Sequence, residues 1–216
     1  MGFKLSVVHQ VEKGEMTYKQ AQKAYGIQGR STVLVWLRKH PNLMKEIKDC
    51  RPEEFFVSDI TNIKSRERTH YLSLVTDAYS RKIMGHHLSD DMSAENVVKA
   101  VKMANNNRLT SKHLIHHSDR GLQYCSAIYQ KELQQCNITP SMTDGCDCYQ
   151  NALAERMNGI LKGEFLIYKC NSGKELKKLI AESLRTYNNK RPHLSLKNKT
   201  PNFIHNKKPE KLASLV

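Results

Sequence analysis

The sequence predicts an α/β domain, a mixed five-stranded sheet flanked by helices, preceded by a small helical unit. Three observations carry this. Residues 54–87 hold three apolar runs separated by short turn segments, the pattern of antiparallel hairpins. From residue 93 onward helical and strand patterns alternate, which within one sheet needs crossovers that lay helices on its faces. Residues 5–40 show only short capped helical patterns with a glycine break. A chain of 216 residues can bury one good core and a small accessory unit.

In order, Leu5 to Val11 predicts a first helix. Thr17 with Gln20 is a capping box that opens a second helix, Tyr18 to Ala24, and Gly26 supplies the break. Ser31 or Thr32 caps a third helix through Lys39, with Val33, Leu34, Trp36 and Leu37 as its buried stripe. This is helix-turn-helix grammar, and Arg30, Ser31, Thr32, Arg38 and Lys39 stand ready for DNA phosphates and base edges. A three-helix bundle that binds nothing is the alternative.

Strands are expected over Phe55 to Thr61, Tyr71 to Asp77 and Lys82 to His87. Ser93 caps a helix through Asn105 whose apolar set is Val97, Val98, Val101 and Met103. A fourth strand, Leu114 to Ser118, ends at Asp119 and a glycine turn, which puts that carboxylate at the lip of the sheet. Ser126 to Cys136 is a helix and Ile138 to Met142 a fifth strand. Asn151 to Lys162 is helical, with Asn151, Glu155, Asn158, Gly159 and Lys162 on one face and Leu153, Met157 and Ile160 opposite. Glu155 therefore points to a cleft or solvent. Leu176 to Tyr187 forms a last helix, after which Pro192 and Pro201 forbid a long one. The division expected is a DNA-binding unit over 1–40, a linker over 41–53, a core over 54–166 and a basic helical and extended tail over 167–216 that tracks DNA.

The formal charge of +14 calls for a polyanionic partner. It is unevenly spread, at +5 over residues 1–49, −1 over 50–155 and +10 over 156–216. Basic flanks that hold a polyanion around a carboxylate-rich centre that holds cations fit this distribution. The six cysteines form no CxxC pair and are expected as reduced thiols of a cytosolic protein; Cys146 and Cys148 alone do not make a zinc site. No run approaches the roughly 20 apolar residues of a membrane span, and no secretory signal is read at the start.

Asp59 in SDIT, Asp119 in HHSDRGLQY and Glu155 in NALAERMNGILK, with 35 residues between the last two, resemble the three acids of DDE transposases and retroviral integrases. The wording is most similar to the bacterial insertion sequences of the IS-three family, whose transposase is encoded in two frames, OrfA and OrfB. The likeness runs from about Pro41 to Ile204 and takes in YNNKRPHLSL and TPNF, while the N-terminal unit resembles the OrfA-type helix-turn-helix. Two departures stand out: Asn62 occupies a position where the family more often has tyrosine, and no heptad run separates WLRKH from PNLMKEIKD.

The resemblance implies an RNase H-like fold for the core and a DNA transposase that cleaves 3′ ends and transfers strands. It implies Asp59 as a bridging ligand of two Mg²⁺ ions, with Mn²⁺ as substitute, and Asp119 and Glu155 as ligands of one ion each. Lys162, seven residues after Glu155, would contact a phosphate near the cut, and Arg156, Asn151, Tyr149, Arg191 and His193 are further candidate DNA contacts. Partners would be double-stranded DNA, as terminal repeats and target, and further copies of the chain, in a bacterial cytoplasm near the nucleoid. The rival reading is an internally deleted remnant that only binds DNA. His116 and His117 should face opposite sides of their strand, with at least one in the core, and Asp77, Asp144 and Asp147 read as turn residues. No G-x-S-x-G elbow supports a serine hydrolase.

Overall fold

The structure is a computed structural model that describes residues 7, 10, 11, 15–27, 43, 51–143 and 151–207. In the N-terminal part, Val7, Gln10 and Val11 are helical, and helix α1 spans Tyr18–Ala24. The capping box forms as expected: Gln20 N donates to Thr17 Oγ1 at 3.2 Å and Thr17 N to Gln20 Oε1 at 2.7 Å. Gly26 ends the helix with a φ of 60°, a conformation that favours glycine. Val7, Val11 and Ala21 bury together. The third helix lies outside the described residues, as do Arg30, Ser31, Thr32, Arg38 and Lys39.

Five strands follow the expected order: β1 Phe55–Lys64, β2 Thr69–Asp77, β3 Ile83–Ser89, β4 Leu114–Ser118 and β5 Ile138–Met142. They form one sheet in the order β3-β2-β1-β4-β5, antiparallel through the first three and parallel from β1 to β5. Helices α2 (Ala94–Asn106), α3 (Leu122–Cys125) and α4 (Ala127–Gln135) supply the crossovers. The single helix expected over 126–136 begins at its predicted cap, Ser126, whose hydroxyl accepts from Tyr129 N at 3.3 Å. Phe56, Val75, Val97, Val101, Leu114, Tyr129 and Leu133 form the core on the side of α2 and α4.

Helix α2 sits closer to the sheet than its pattern implied. A Cβ on Gly85 would lie 2.2 Å from Ala100 O and 2.9 Å from Ala104 Cβ, so strand and helix meet almost backbone to backbone. Small residues are needed there, and Ala100 and Ala104 are buried while Met103, expected in the core, is exposed.

Beyond the sheet come α5 (Ala152–Ile160), a π-helical turn over Leu161–Phe165, α6 (Gly173–Lys190), a short 3₁₀ turn and α7 (Pro201–Asn206). The helix expected over Leu176 to Tyr187 forms, and it is part of the body. Leu176, Ile180, Leu184 and Tyr187 of α6 pack with Met157, Leu161, Leu72 and Leu74 in a second core on the other side of the sheet. Asn188 brackets Ile83, accepting from its N–H at 2.9 Å and donating to its carbonyl at 3.0 Å.

The residue expected at the end of a linker, Glu53, is also internal. Its carboxylate accepts from Leu109 N and Thr110 N at 2.7 Å, from the Thr110 hydroxyl at 2.8 Å, and lies 3.1 Å from His205 Nε2 of α7. Glu53 N donates to Asp77 at 2.6 Å, and Asp77 also takes Ser80 N and the Ser80 hydroxyl, the turn role its position suggested. This network ties α7 to the start of β1 and the end of β2. Among the described residues no helix is long and apolar enough to cross a membrane.

Replacing Gly85 by alanine should destabilise the protein by about 3 kcal/mol through overpacking. Urea denaturation would show this as a lower midpoint with an unchanged m-value.

Candidate active site

Parallel pairing between β1 and β4 builds the site. The register runs from Phe55↔Ile115 to Ser58↔Ser118, so Asp59 and Asp119 are the next residues on adjacent chains. Neighbouring strands lie roughly 4.8 Å apart, which brings the two acids side by side despite their distance in sequence. Strand β1 continues past the end of β4, with Asp59 opposite Leu74 of β2, leaving its β4 side open to another element. Helix α5 packs across the face of β1 and β2, where Ala154 joins Phe55 and Val57, and Met157 joins Leu72 and Leu74.

The anchoring of α5 differs from the expected face. Asn151 and Asn158, assigned to the groove, are buried, along with Ala154, Met157 and Leu161, while Glu155 stays exposed. Amides tolerate this burial because each finds a partner: Asn151 Nδ2 donates to Ser58 O at 3.2 Å, and Asn158 Nδ2 to Asp59 Oδ2 at 2.7 Å. Asn151, a candidate DNA contact, thus fastens the helix to β1 and is shielded from DNA. Lys162 stays exposed and donates to Asn62 Oδ1 of β1 at 3.3 Å.

Two hydrogen bonds hold the Asp59 carboxylate, from Ile60 N at 2.8 Å and from Asn158, and one holds Asp119, from Gly121 N at 2.9 Å. Burial drives the Asp59 pKa up to about 6, the two hydrogen bonds oppose the rise, and the charges of Asp119 and Glu155 add to it. Asp119 and Glu155 are therefore both within electrostatic reach of Asp59. Burial raises Asp119 as well, against its bond from Gly121.

Beneath the acids lies a layer that the sequence did not announce. His116 and His117 are both fully buried. His116 Nε2 is 2.7 Å from Ser58 Oγ and its Nδ1 2.8 Å from the Tyr129 hydroxyl, and burial lowers its pKa to about 3, so it is neutral. His117 Nδ1 lies 2.8 Å from Ser141 Oγ. Tyr124 packs edge to face on Tyr129, and among the described residues its buried hydroxyl has no hydrogen-bond partner; nor do Oδ1 of Asn151 and Asn158. Strand alternation put at least one of the two histidines in the core, and both are there; nothing in the pattern marked Tyr124.

Other candidates stand elsewhere. Arg191 is held by Glu164 through Nε at 2.6 Å and Nη2 at 2.5 Å. His193 is buried, 3.3 Å from Arg191 Nη1 and edge to face with Tyr187; burial and the Arg191 charge lower its pKa to about 4. Both were candidate DNA contacts, and both instead brace the chain after α6. Arg156 is exposed, with its charge felt at His193. Tyr149, Asp144, Asp147, Cys146 and Cys148 lie outside the described residues, and Cys125, Cys136 and Cys170 are free thiols.

The raised Asp59 pKa fixes a pH dependence. In the unfolded chain Asp59 loses its proton near its ordinary value of 3.8, in the folded chain near 6. The folded state thus binds more protons between these values, and stability falls as pH rises through the window. Asp59→Asn removes that penalty, so in EDTA the variant should exceed the wild type by on the order of 2 kcal/mol at pH 7 and by much less at pH 4. Urea midpoints at the two pH values measure the difference.

Comparison with known proteins agrees with this geometry. Two models described as Integrase core domain match residues 49–148 and 136–201. The Insertion element IS600 uncharacterized 31 kDa protein of Shigella sonnei is 34% identical over 164 residues, covering 74% of this chain and 60% of that protein. Putative transposase InsK for insertion sequence element IS150 of Escherichia coli K12 is 33% identical over 163 residues, covering 74% and 58%. The chain thus spans about three fifths of the length of these curated relatives. Among solved structures, the HTLV-2 integrase catalytic core domain in complex with magnesium is similar in fold, with a TM-score of 0.59 at 22% identity over 73% of this chain and 99% of that one. With two core models matched end to end, insertion-sequence relatives over the same span and the sheet order found above, the chain belongs to the integrase-core family to which DDE transposases of insertion sequences belong.

Proposed function

We propose that the chain is a DNA transposase that carries out metal-dependent 3′-end cleavage and strand transfer of an insertion sequence. The observation that carries this is the meeting of Asp59, Asp119 and Glu155 from β1, the end of β4 and α5, with Asp59 pushed up to about 6. A carboxylate whose pKa is raised by burial and by neighbouring acids is relieved by a bound cation, and hard divalent ions take oxygen donors. The donor set therefore fits Mg²⁺ chemically, and the unpartnered Oδ1 atoms of Asn151 and Asn158 add oxygen near the acids. Among the described residues no three acid, histidine or cysteine side chains already form a closed cage. Glu155, exposed on its helix, is the member free to close it.

In this reading Asp59 would serve both ions, while Asp119 and Glu155 would each hold one. When bound, two Mg²⁺ ions, or Mn²⁺ in their place, polarise the attacking and leaving oxygens of a phosphodiester. The chain itself does the positioning. Asn158 keeps Asp59 turned toward the groove, Asn151 fixes the start of α5, and Lys162 offers its ammonium to a phosphate beside the cut. Cleavage breaks one P–O bond by water attack and leaves a 3′ hydroxyl. In transfer that hydroxyl forms a new P–O bond as the 3′ oxygen of the target strand leaves, so bonds are exchanged one for one without a covalent protein intermediate.

The substrate is double-stranded DNA, the element's terminal repeats and a target, held by an assembly of several copies in the bacterial cytoplasm near the nucleoid. The N-terminal unit over 1–40 would recognise the repeats through Arg30, Ser31, Thr32, Arg38 and Lys39. Similarity to proteins of insertion elements supports DNA as the substrate.

Asp59→Asn, Asp119→Asn and Glu155→Gln should each reduce nicking of labelled terminal repeats in Mg²⁺ or Mn²⁺ by a thousandfold or more, to on the order of background. Affinity for the same DNA in EDTA should stay within about threefold, since acids do not hold phosphates. Nicking retained by all three variants sinks the assignment, and wild-type binding without any nicking favours the DNA-binding remnant.

A further inference from the structure

Asp59 and Asp119 belong to strands whose register is fixed, whereas Glu155 comes to them on a helix. Met157 and Leu161 bury one side of α5, but apolar contacts are non-directional and do not by themselves fix a helix along or about its axis. A slip of one residue would carry Glu155 about 1.5 Å along that axis and about 100° around it. Asn151 and Asn158 tie α5 to β1. The other end of the helix runs without a break into the π-helical turn over Leu161–Phe165, where Leu166 N donates to Leu161 O at 2.9 Å. Turns of this kind are rare and recur at functional sites.

The segment YNNKRPH, which ends α6, holds that turn, and no step of the proposed reaction uses it. Arg191 closes a fork on Glu164, through Nε at 2.6 Å and Nη2 at 2.5 Å, and this contact keeps the Glu164 carboxyl below its ordinary range. The remaining arm of the guanidinium is fixed as well. Arg191 Nη1 donates to Pro192 O at 3.2 Å and lies 3.3 Å from Nε2 of the neutral His193. His193 meets Tyr187 edge to face, Tyr187 meets Phe165 of the turn in the same way, and the Tyr187 hydroxyl lies 2.9 Å from Met157 Sδ. Contacts that leave the end of α5 through Glu164 thus return to its middle through Tyr187.

Stability gives little reason for the fork. The Arg191 and Glu164 side chains keep 21% and 46% of their surface open to water, and ion pairs exposed to this degree contribute little. What a two-armed pair does supply is geometry. Glu164 stands nine residues after Glu155 on one continuous helical run, so a position imposed on the first is passed to the second.

We infer that the Arg191–Glu164 fork is a positioning clamp for Glu155, setting α5 at the height and rotation at which its carboxylate meets those of Asp59 and Asp119. The inference rests on the proposed function, in which Glu155 holds an ion, and gives the YNNKRPH segment a part in it. It replaces the DNA contact expected of Arg191: for a phosphate contact Glu164 would be a competitor, for a clamp it is the necessary partner.

The test compares full-length Arg191→Ala, Glu164→Gln and the double variant with the wild type in nicking of labelled terminal repeats, in the Mn²⁺ concentration giving half of the metal-induced rise in urea midpoint without DNA, and in DNA affinity in EDTA. Each single variant should nick roughly tenfold more slowly and need roughly tenfold more Mn²⁺, the scale of coupling between linked sites. The double variant should be no worse than either, because one clamp is lost once. Arg191→Lys, which keeps the charge but not the fork, should fall with them. Urea midpoints in EDTA should hardly move, and DNA affinity should stay within about threefold, since no phosphate contact is removed. Weaker DNA binding by Arg191→Ala together with tighter binding by Glu164→Gln would make Arg191 a phosphate contact and overturn the inference. Undiminished nicking and Mn²⁺ response in both single variants would overturn it too, as would losses that follow a lower urea midpoint in EDTA. Failure of the catalytic reading is distinct: it appears as nicking that survives the three acid variants, or as a wild type whose urea midpoint ignores Mn²⁺.

Discussion

Parallel pairing of β1 with β4 is the constraint from which the site follows. Slipping that register by one residue would turn Asp59 to the opposite face of the sheet and leave Asp119 alone. Apolar side chains cannot by themselves forbid such a slip, because both faces of this sheet are buried and apolar residues serve on either. Polar groups can. Ser58 reaches His116 at 2.7 Å, and His116 reaches Tyr129 of α4 at 2.8 Å, so strand, strand and helix share one buried hydrogen-bonded chain. Shifted by a residue, its members would be buried without partners, at a cost of about 1–3 kcal/mol each. The layer beneath the acids therefore acts as a register lock, and neutrality of His116 keeps that lock free of charge.

The protein buries carboxylates in two ways, and the contrast separates structure from chemistry. Burial alone would raise Glu53, yet Leu109, Thr110 and His205 hold its pKa below the ordinary range. Its oxygens are saturated, and it serves as a rivet between β1, the loop after α2 and α7. Asp59 has two donors and two acidic neighbours, and Asp119 a single donor. Those groups are left short of hydrogen bonds and pressed toward protonation, a strained arrangement that stability alone would not favour. Incomplete satisfaction, more than burial, sets Asp59 and Asp119 apart from Glu53.

The strands were largely legible, with β4 and β5 bounded as their apolar runs indicate, and so were the capping box before α1 and the pairing of the strands that carry Asp59 and lead to Asp119. Each depends on local pattern or on a topology with few alternatives. What escaped depends on partners. Met103 looks like core until the close approach at Gly85 selects Ala100 and Ala104. Asn151 and Asn158 look like groove residues because amides are usually exposed, and only the open side of β1 explains why they turn inward. The π-helical turn after Ile160 leaves no trace in a 3.6-residue periodicity.

Charge is the clearest case of a quantity that sequence counts and structure must place. The +10 over residues 156–216 reads as a DNA-tracking tail, but α6 carries much of it on the solvent side of a core helix, and Arg191 spends its charge on Glu164. That pairing has a consequence away from Arg191. By engaging Glu164 it removes the acid nearest Lys162 in sequence, just as the N-terminus of α6 occupies Glu67 beside Arg66. Exposed pairs of this kind contribute little to stability, so their larger effect is on the field. With those two glutamates drawn toward the body of the protein, positive potential is left at exposed Lys64 and Arg66. A polyanion approaching such a surface is guided by the unpaired cations rather than by the total charge.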